Sequence, residues 1–236
     1  MTRNSIKVLL AVGAVVAATF ALAAVATAGV VNSKHDFSSG GTGGNWGATN
    51  QAQVCIFCHT PHNAQAGQEP LWNRVALSKT FSIYSSDTFD GKSTIGQPGG
   101  NSKLCLSCHD GSVAIDAYVA GNPSTSPKMM AIGDVYYPGS PYGQGGPNIG
   151  GNYAGNNNVN DLTNDHPVSF TYDDALANAD KHLKLASALP ATLPLYGGKM
   201  ECATCHDVHN QKSIAGTKLL RVAKDGSALC LTCHLK

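Results

Sequence analysis

Two stretches of this chain carry an apolar pattern that predicts an element. The first is an uncharged run that begins at Val8, after Arg3 and Lys7, and ends in the small-residue sequence Ala26-Thr27-Ala28-Gly29. A basic start, an apolar middle and Ala-x-Ala predict a signal peptide over residues 1–28, cleaved after Ala28. The run is roughly 20 residues long, enough to span a bilayer, so an uncleaved membrane anchor is the alternative. Alanine dominates it, which weakens it as a permanent span. The second stretch runs from Asp173 to about Ala186, where alanine and leucine spacing gives a helix a modest apolar face. Asp173 and Asp174 suit its N-terminus, and Pro190 lies beyond its end.

Elsewhere the pattern is that of loops. Pro138 to Asp165 is rich in glycine, asparagine and proline, and the whole chain holds 26 glycines and 11 prolines. The expected fold class is mostly irregular, with short α-helices wrapped around a chain of four c-type haems and little β-structure. The haems enter because of the cysteines. All eight fall in one motif, used four times: Cys55-Cys58-His59, Cys105-Cys108-His109, Cys202-Cys205-His206 and Cys230-Cys233-His234. Two thiols separated by two residues reach the two vinyl groups of one porphyrin, and the next residue sets an imidazole under the iron.

Paired cysteines also make zinc sites and redox disulfides, but neither explains a histidine after every pair. With nine histidines in 236 residues, four such coincidences have odds on the order of one in half a million. Four covalently bound haem c groups are therefore the predicted cofactors. No cysteine is left for a disulfide, so thioethers are expected to staple the fold. Removing residues 1–28 from 236 leaves 208 residues, about 52 per haem, too few to build a conventional core around each one. The macrocycles are expected to be the core.

Charge changes the picture less. The leader holds two of the 16 basic residues and no acid, leaving 14 against 15 acidic residues, a net charge of −1. That excludes a basic footprint for nucleic acid.

An internal repeat organises the chain. Cys55-Ile-Phe-Cys-His59-Thr-Pro-His62-Asn63 matches Cys202-Ala-Thr-Cys-His206-Asp-Val-His209-Asn210, and Arg-Val-Ala follows at Arg74 and at Arg221, an ungapped register. Each half closes on a second motif of the same flavour, around Cys105 and Cys230. The predicted organisation is a first di-haem module over 29–109, with Leu77 to Ser102 inserted, a connecting segment over 110–201 that supplies a distal ligand, and a second di-haem module over 202–236.

Five histidines remain beyond the four proximal ones: His35, His62, His166, His182 and His209. An iron that binds and reduces a small molecule needs an open position, so a full set of bis-His sites predicts a carrier and no enzyme. His62 and His209 lie three residues past a proximal histidine and extend at most about 10 Å of chain from it. Neither can circle its own porphyrin, so each is expected to reach a neighbouring iron. Proline after His166 favours an extended backbone that holds the imidazole out as a long-range ligand. His35, six residues past the presumed cleavage site, is expected to bind iron within its own chain or on a neighbour. His182, between Lys181 and Lys184 on the predicted helix, reads as a solvated position. Met129, Met130 and Met200 are not needed as ligands.

Lys34-His35-Asp36-Phe37-Ser38, Cys-His-Thr-Pro-His-Asn, Asp165 to Tyr172, Cys-His-Asp-Val-His-Asn and the closing Leu-Cys-Leu-Thr-Cys-His together resemble the OmcE-type tetrahaem extracellular cytochromes of metal-reducing bacteria. That family is similar to other cytochrome nanowires. The resemblance implies subunits that polymerise into an extracellular filament with an unbroken haem column, fed by envelope c-type cytochromes and discharging to metal oxides or electrodes. It implies that His35 completes a haem of a neighbouring subunit while His62, His166 and His209 serve within the chain. A non-polymeric periplasmic or surface shuttle and a membrane-anchored quinol dehydrogenase are the alternatives.

Overall fold

The computed structural model describes residues 29–42, 48, 51–67, 71–74, 79–109, 149, 161–209, 211, 213–214, 217 and 219–235. The predicted leader and most of the connecting segment, including 110–148 and 150–160, lie outside the described residues. Most of what is described is irregular. The helices are α1 (Gly100–His109), α2 (Asp174–Asp180), α3 (Cys202–Cys205) and α4 (Ala228–Cys233), joined by short 3₁₀ turns at Cys55–Phe57, Ala186–Ala188 and Asp225–Ser227. Strands β1 (Phe170–Thr171) and β2 (Lys199–Met200) pair antiparallel, Phe170 opposite Met200 and Thr171 opposite Lys199. This agrees with a loop-rich fold containing little β-structure.

No helix among the described residues is long and apolar enough to cross a membrane. Every CxxC pair sits in a turn of helix: the 3₁₀ turn opens on Cys55, α1 contains Cys105 and Cys108, α3 is Cys202–Cys205, and α4 carries Cys230 and Cys233. One helical turn brings residues three apart to the same face, which is the spacing a pair of thiols needs to address one porphyrin.

Side chains buried among the described residues fall into small clusters. Phe37 and Phe57 pack with Ile56, Cys58 and Cys108, whereas Phe81, Leu106 and Leu162 form a second group. Phe170, Tyr172 and Met200 form a third, against Leu176, Leu183, Leu189, Leu195 and Cys233. Met200 is thus a core residue of the small sheet. Two of the clusters end on motif cysteines, so those apolar groups are gathered around the predicted points of haem attachment. The inserted segment folds back: the side-chain amide of Gln97 donates to Phe81 O and its oxygen accepts from Phe81 N, and Leu162 N donates to Ser82 O at 2.8 Å.

Two sequence expectations need correction. The helix predicted from Asp173 to Ala186 stops at Asp180. Asp173 caps it as expected, accepting from Leu176 N at 2.7 Å, but Lys181 turns left-handed at φ 67°. Asp180 then accepts from His182 N, and Leu183 is drawn into an antiparallel bridge with His234. His182 is exposed, as predicted, but past the helix.

The repeat also carries a one-residue slip. Thr60 N bonds Leu71 O and Asn73 N bonds Cys58 O in the first copy; Asp207 N bonds Leu219 O and Arg221 N bonds Cys205 O in the second. Leu71 and Leu219 are both left-handed, at φ 53° and 58°. The structural counterpart of Arg221 is therefore Asn73, and one residue is added in the second copy between motif and return strand. The side chains agree: Asn73 Nδ2 donates to Ile56 O at 2.5 Å and Arg221 Nε to Ala203 O at 3.0 Å, each holding the first spacer residue of its CxxC turn. Arg74 instead is buried and reaches Ser107 O on α1 at 3.4 Å.

Candidate haem-binding site

The four motifs approach one another through their sulfurs. Burial, with a smaller push from neighbouring Cys108, raises the Cys58 thiol to about 12. Burial and then Cys233 raise Cys205 to about 11. A hydrogen bond between the Cys105 and Cys202 thiols, followed by burial, holds Cys105 well above the ordinary thiol range. First motif thus neighbours second, second neighbours third, and third neighbours fourth.

The histidines complete the pattern. His59 and His209 face each other with ring centres 6.2 Å apart and planes 13° from parallel. His35 and His109 stand 6.0 Å apart at 59°, and His166 and His234 6.5 Å apart at 79°. Two imidazoles bound through nitrogen to opposite faces of one metal, at bonds of about 2 Å, have ring centres about 6 Å apart. Each observed pair joins a proximal histidine of a motif to one of the predicted distal histidines. Among the described residues His62 is not brought against another predicted ligand; it and His206 are both exposed.

Local chemistry holds these rings. Thr60 and Asp207, at equivalent places after the proximal histidine, accept from the backbone N–H of His62 and His209 at 3.4 and 3.2 Å. His166 Nδ1 lies 2.9 Å from Pro167 O. A carbonyl only accepts, so Nδ1 carries the proton and Nε2 is left with its lone pair, the arrangement that orients a metal-ligating imidazole. His35 rests edge-on against Phe37 at 5.9 Å. Its Nδ1 is buried with no hydrogen-bond partner, and burial, then the nearby His109, His206 and His209, lowers its pKa to about 4. A buried neutral imidazole with an unsatisfied nitrogen is costly unless something accepts its lone pair. The residues present therefore fit the group that the motifs call for. Asp36 anchors this segment, accepting from Asn32 N at 2.8 Å and Ser38 Oγ at 2.6 Å.

Residues 194–236 match the doubled CXXCH motif family. That doubled motif indicates a multihaem c-type cytochrome-like protein. Its CXXCH motifs imply covalently bound haem c, and the paired arrangement implies a role in electron transfer. No curated protein matches the cytochrome-like chain.

Sequence reading missed one feature of the site, the cradle of Glu201. This buried carboxylate accepts through Oε2 from Ser102 N at 3.1 Å, from Ser102 Oγ and from Ser169 Oγ at 2.9 Å. Ser102 Oγ in turn accepts from Cys202 N at 2.9 Å. An acid immediately before a CxxCH motif was the available signal, but nothing local named serines 32 and 99 positions away as its partners.

Proposed function

We propose that this chain is an exported tetrahaem electron carrier whose irons are each closed by two histidines, and that it serves as a subunit of an extracellular filament. The observation that carries the carrier reading is the set of three histidine pairs at 6.0, 6.2 and 6.5 Å. They support His109 with His35, His59 with His209, and His234 with His166 as axial pairs. His206 and His62 are then left for the remaining haem, the reciprocal of the exchange that brings His209 to His59. The eight cysteines would hold the macrocycles, and each haem, once bound, supplies a one-electron couple. With both axial positions taken by protein, no coordination site is left for a substrate, which favours a carrier over an enzyme.

Resemblance to OmcE-type cytochromes supports the filament, with envelope cytochromes as donors and metal oxides or electrodes as acceptors. A non-polymeric shuttle has one observation in its favour: His35 lies beside His109 of its own chain, so no second copy is needed to complete that site. Pyridine haemochrome analysis with intact-mass measurement should give four haems per chain, and ferric spectra should be wholly low-spin. A resting high-spin signal would defeat the bis-His reading. Haem-stained electron microscopy of material sheared from producing cells separates the two carriers: regular haem-positive filaments are expected, and dispersed particles would favour the shuttle.

A further inference from the structure

The Glu201 cradle lies where the two di-haem modules meet. Glu201 directly precedes Cys202 of the third motif, and both Ser102 donors come from α1, which carries the second motif. Ser102 lies one helical turn before Cys105, on the same face. The same Ser102 hydroxyl accepts from the Cys202 amide at 2.9 Å. The cradle therefore ties the start of α3 to the face of α1 from which Cys105 projects, and so holds Cys202 beside Cys105.

The surroundings leave the carboxylate no alternative place. Ser102 and Thr204 are fully buried, and Thr204 Oγ1 accepts from Glu201 N at 3.0 Å. Gly100 has φ +43°, and a Cβ there would stand 2.8 Å from Glu201 Oε1. Ser169 closes the third side, linked to Gly99 by donation from Gly99 N at 2.9 Å. A buried carboxylate with four donors, the fourth being the backbone N–H of Thr204, is a rigid joint, because removing it leaves those donors unsatisfied.

We infer that Glu201 is a positioning residue that fixes the haem attachment edges at Cys105 and Cys202 against each other, making this contact the junction between the modules. The inference rests on the proposed reading of all four motifs as haem sites. In the holoprotein each sulfur is a thioether to its own macrocycle, so a joint that holds Cys202 beside Cys105 holds two macrocycle edges near each other. Tunnelling between cofactors falls steeply with edge separation, so this joint controls passage from one module to the other.

The test is nuclear magnetic resonance of the fully reduced, diamagnetic holoprotein. A nuclear Overhauser cross-peak is expected between the thioether protons of the groups carried by Cys105 and Cys202. Glu201→Gln, which keeps a side-chain oxygen for Ser102 and Ser169, should retain it; Glu201→Ala should lose it. Should Glu201→Ala fail to mature, Ser102→Ala removes the hydroxyl that links Glu201 to the Cys202 amide and is expected to weaken the same cross-peak. Absence of the cross-peak in the unaltered four-haem protein, or its persistence undiminished in the matured variant, overturns the inference. Haem content separates the two failures: fewer than four haems in the unaltered protein would sink the proposed function instead.

Discussion

His209 stands beside His59 rather than beside His206, the proximal histidine three residues before it, because the turn held by Asp207 carries its imidazole away from that motif. Under the proposed ligation His209→Ala leaves four haems attached and turns one of them high-spin. The same substitution in a chain lacking Cys55 and Cys58 should add no high-spin haem, since its iron is already gone. An added high-spin signal in that background would assign His209 elsewhere. Ring orientation gives an independent check. Near-parallel axial planes, as for His59 and His209, produce a rhombic low-spin resonance, whereas the 79° between His166 and His234 produces a strongly anisotropic one. Both types are expected in the electron paramagnetic resonance spectrum of the oxidised protein, and a single rhombic type would contradict the geometry.

At the scale of elements, the short pieces are held by specific hydrogen bonds more than by length. Tyr172 is buried behind β1 and its hydroxyl donates to Lys184 O at 2.9 Å, with Cys233 O 3.4 Å away. Tyr172→Phe leaves those carbonyls without their donor and is expected to cost about 1 kcal/mol, read as a lower thermal midpoint with unchanged haem content. Asp173→Ala, which removes the cap of α2, should cost about 1 kcal/mol by the same measurement.

The legibility of these elements in the sequence followed how local their causes are. The CxxCH turns, the Asp173 cap and the exposure of His182 were readable because neighbours within a few residues decide them. The end of α2 was not, because Leu183 leaves the helix to pair with His234, 51 positions further on. Nor was the slip between Arg74 and Arg221: identical Arg-Val-Ala triplets favoured an ungapped register, while the backbone aligns Leu71 with Leu219 through their shared left-handed turns. Nor were the histidine pairings, because His35 with His109, His59 with His209 and His166 with His234 each join residues far apart in the chain.

For the molecule as a whole, apolar burial among the described residues is scattered in small clusters, two of which end on motif cysteines, at Cys58 and Cys108 and at Cys233. Clusters of this size do not offset the entropy of ordering so much irregular backbone. Protein made without haem attachment is therefore expected to show far-ultraviolet circular dichroism near that of a coil and rapid digestion by protease. A cooperative thermal transition in haem-free protein would mean that the polypeptide supplies its own core.

The pairing of His59 with His209 also has a consequence in time. A chain is made from its N-terminus, so Cys55, Cys58 and His59 are available long before His209, 150 positions later, has been synthesised. Under the proposed ligation, a haem attached at Cys55 and Cys58 before His209 is in place would have an open iron. A partly assembled chain would then bind carbon monoxide or peroxide in a way the finished molecule would not, until His209 arrives to close that iron.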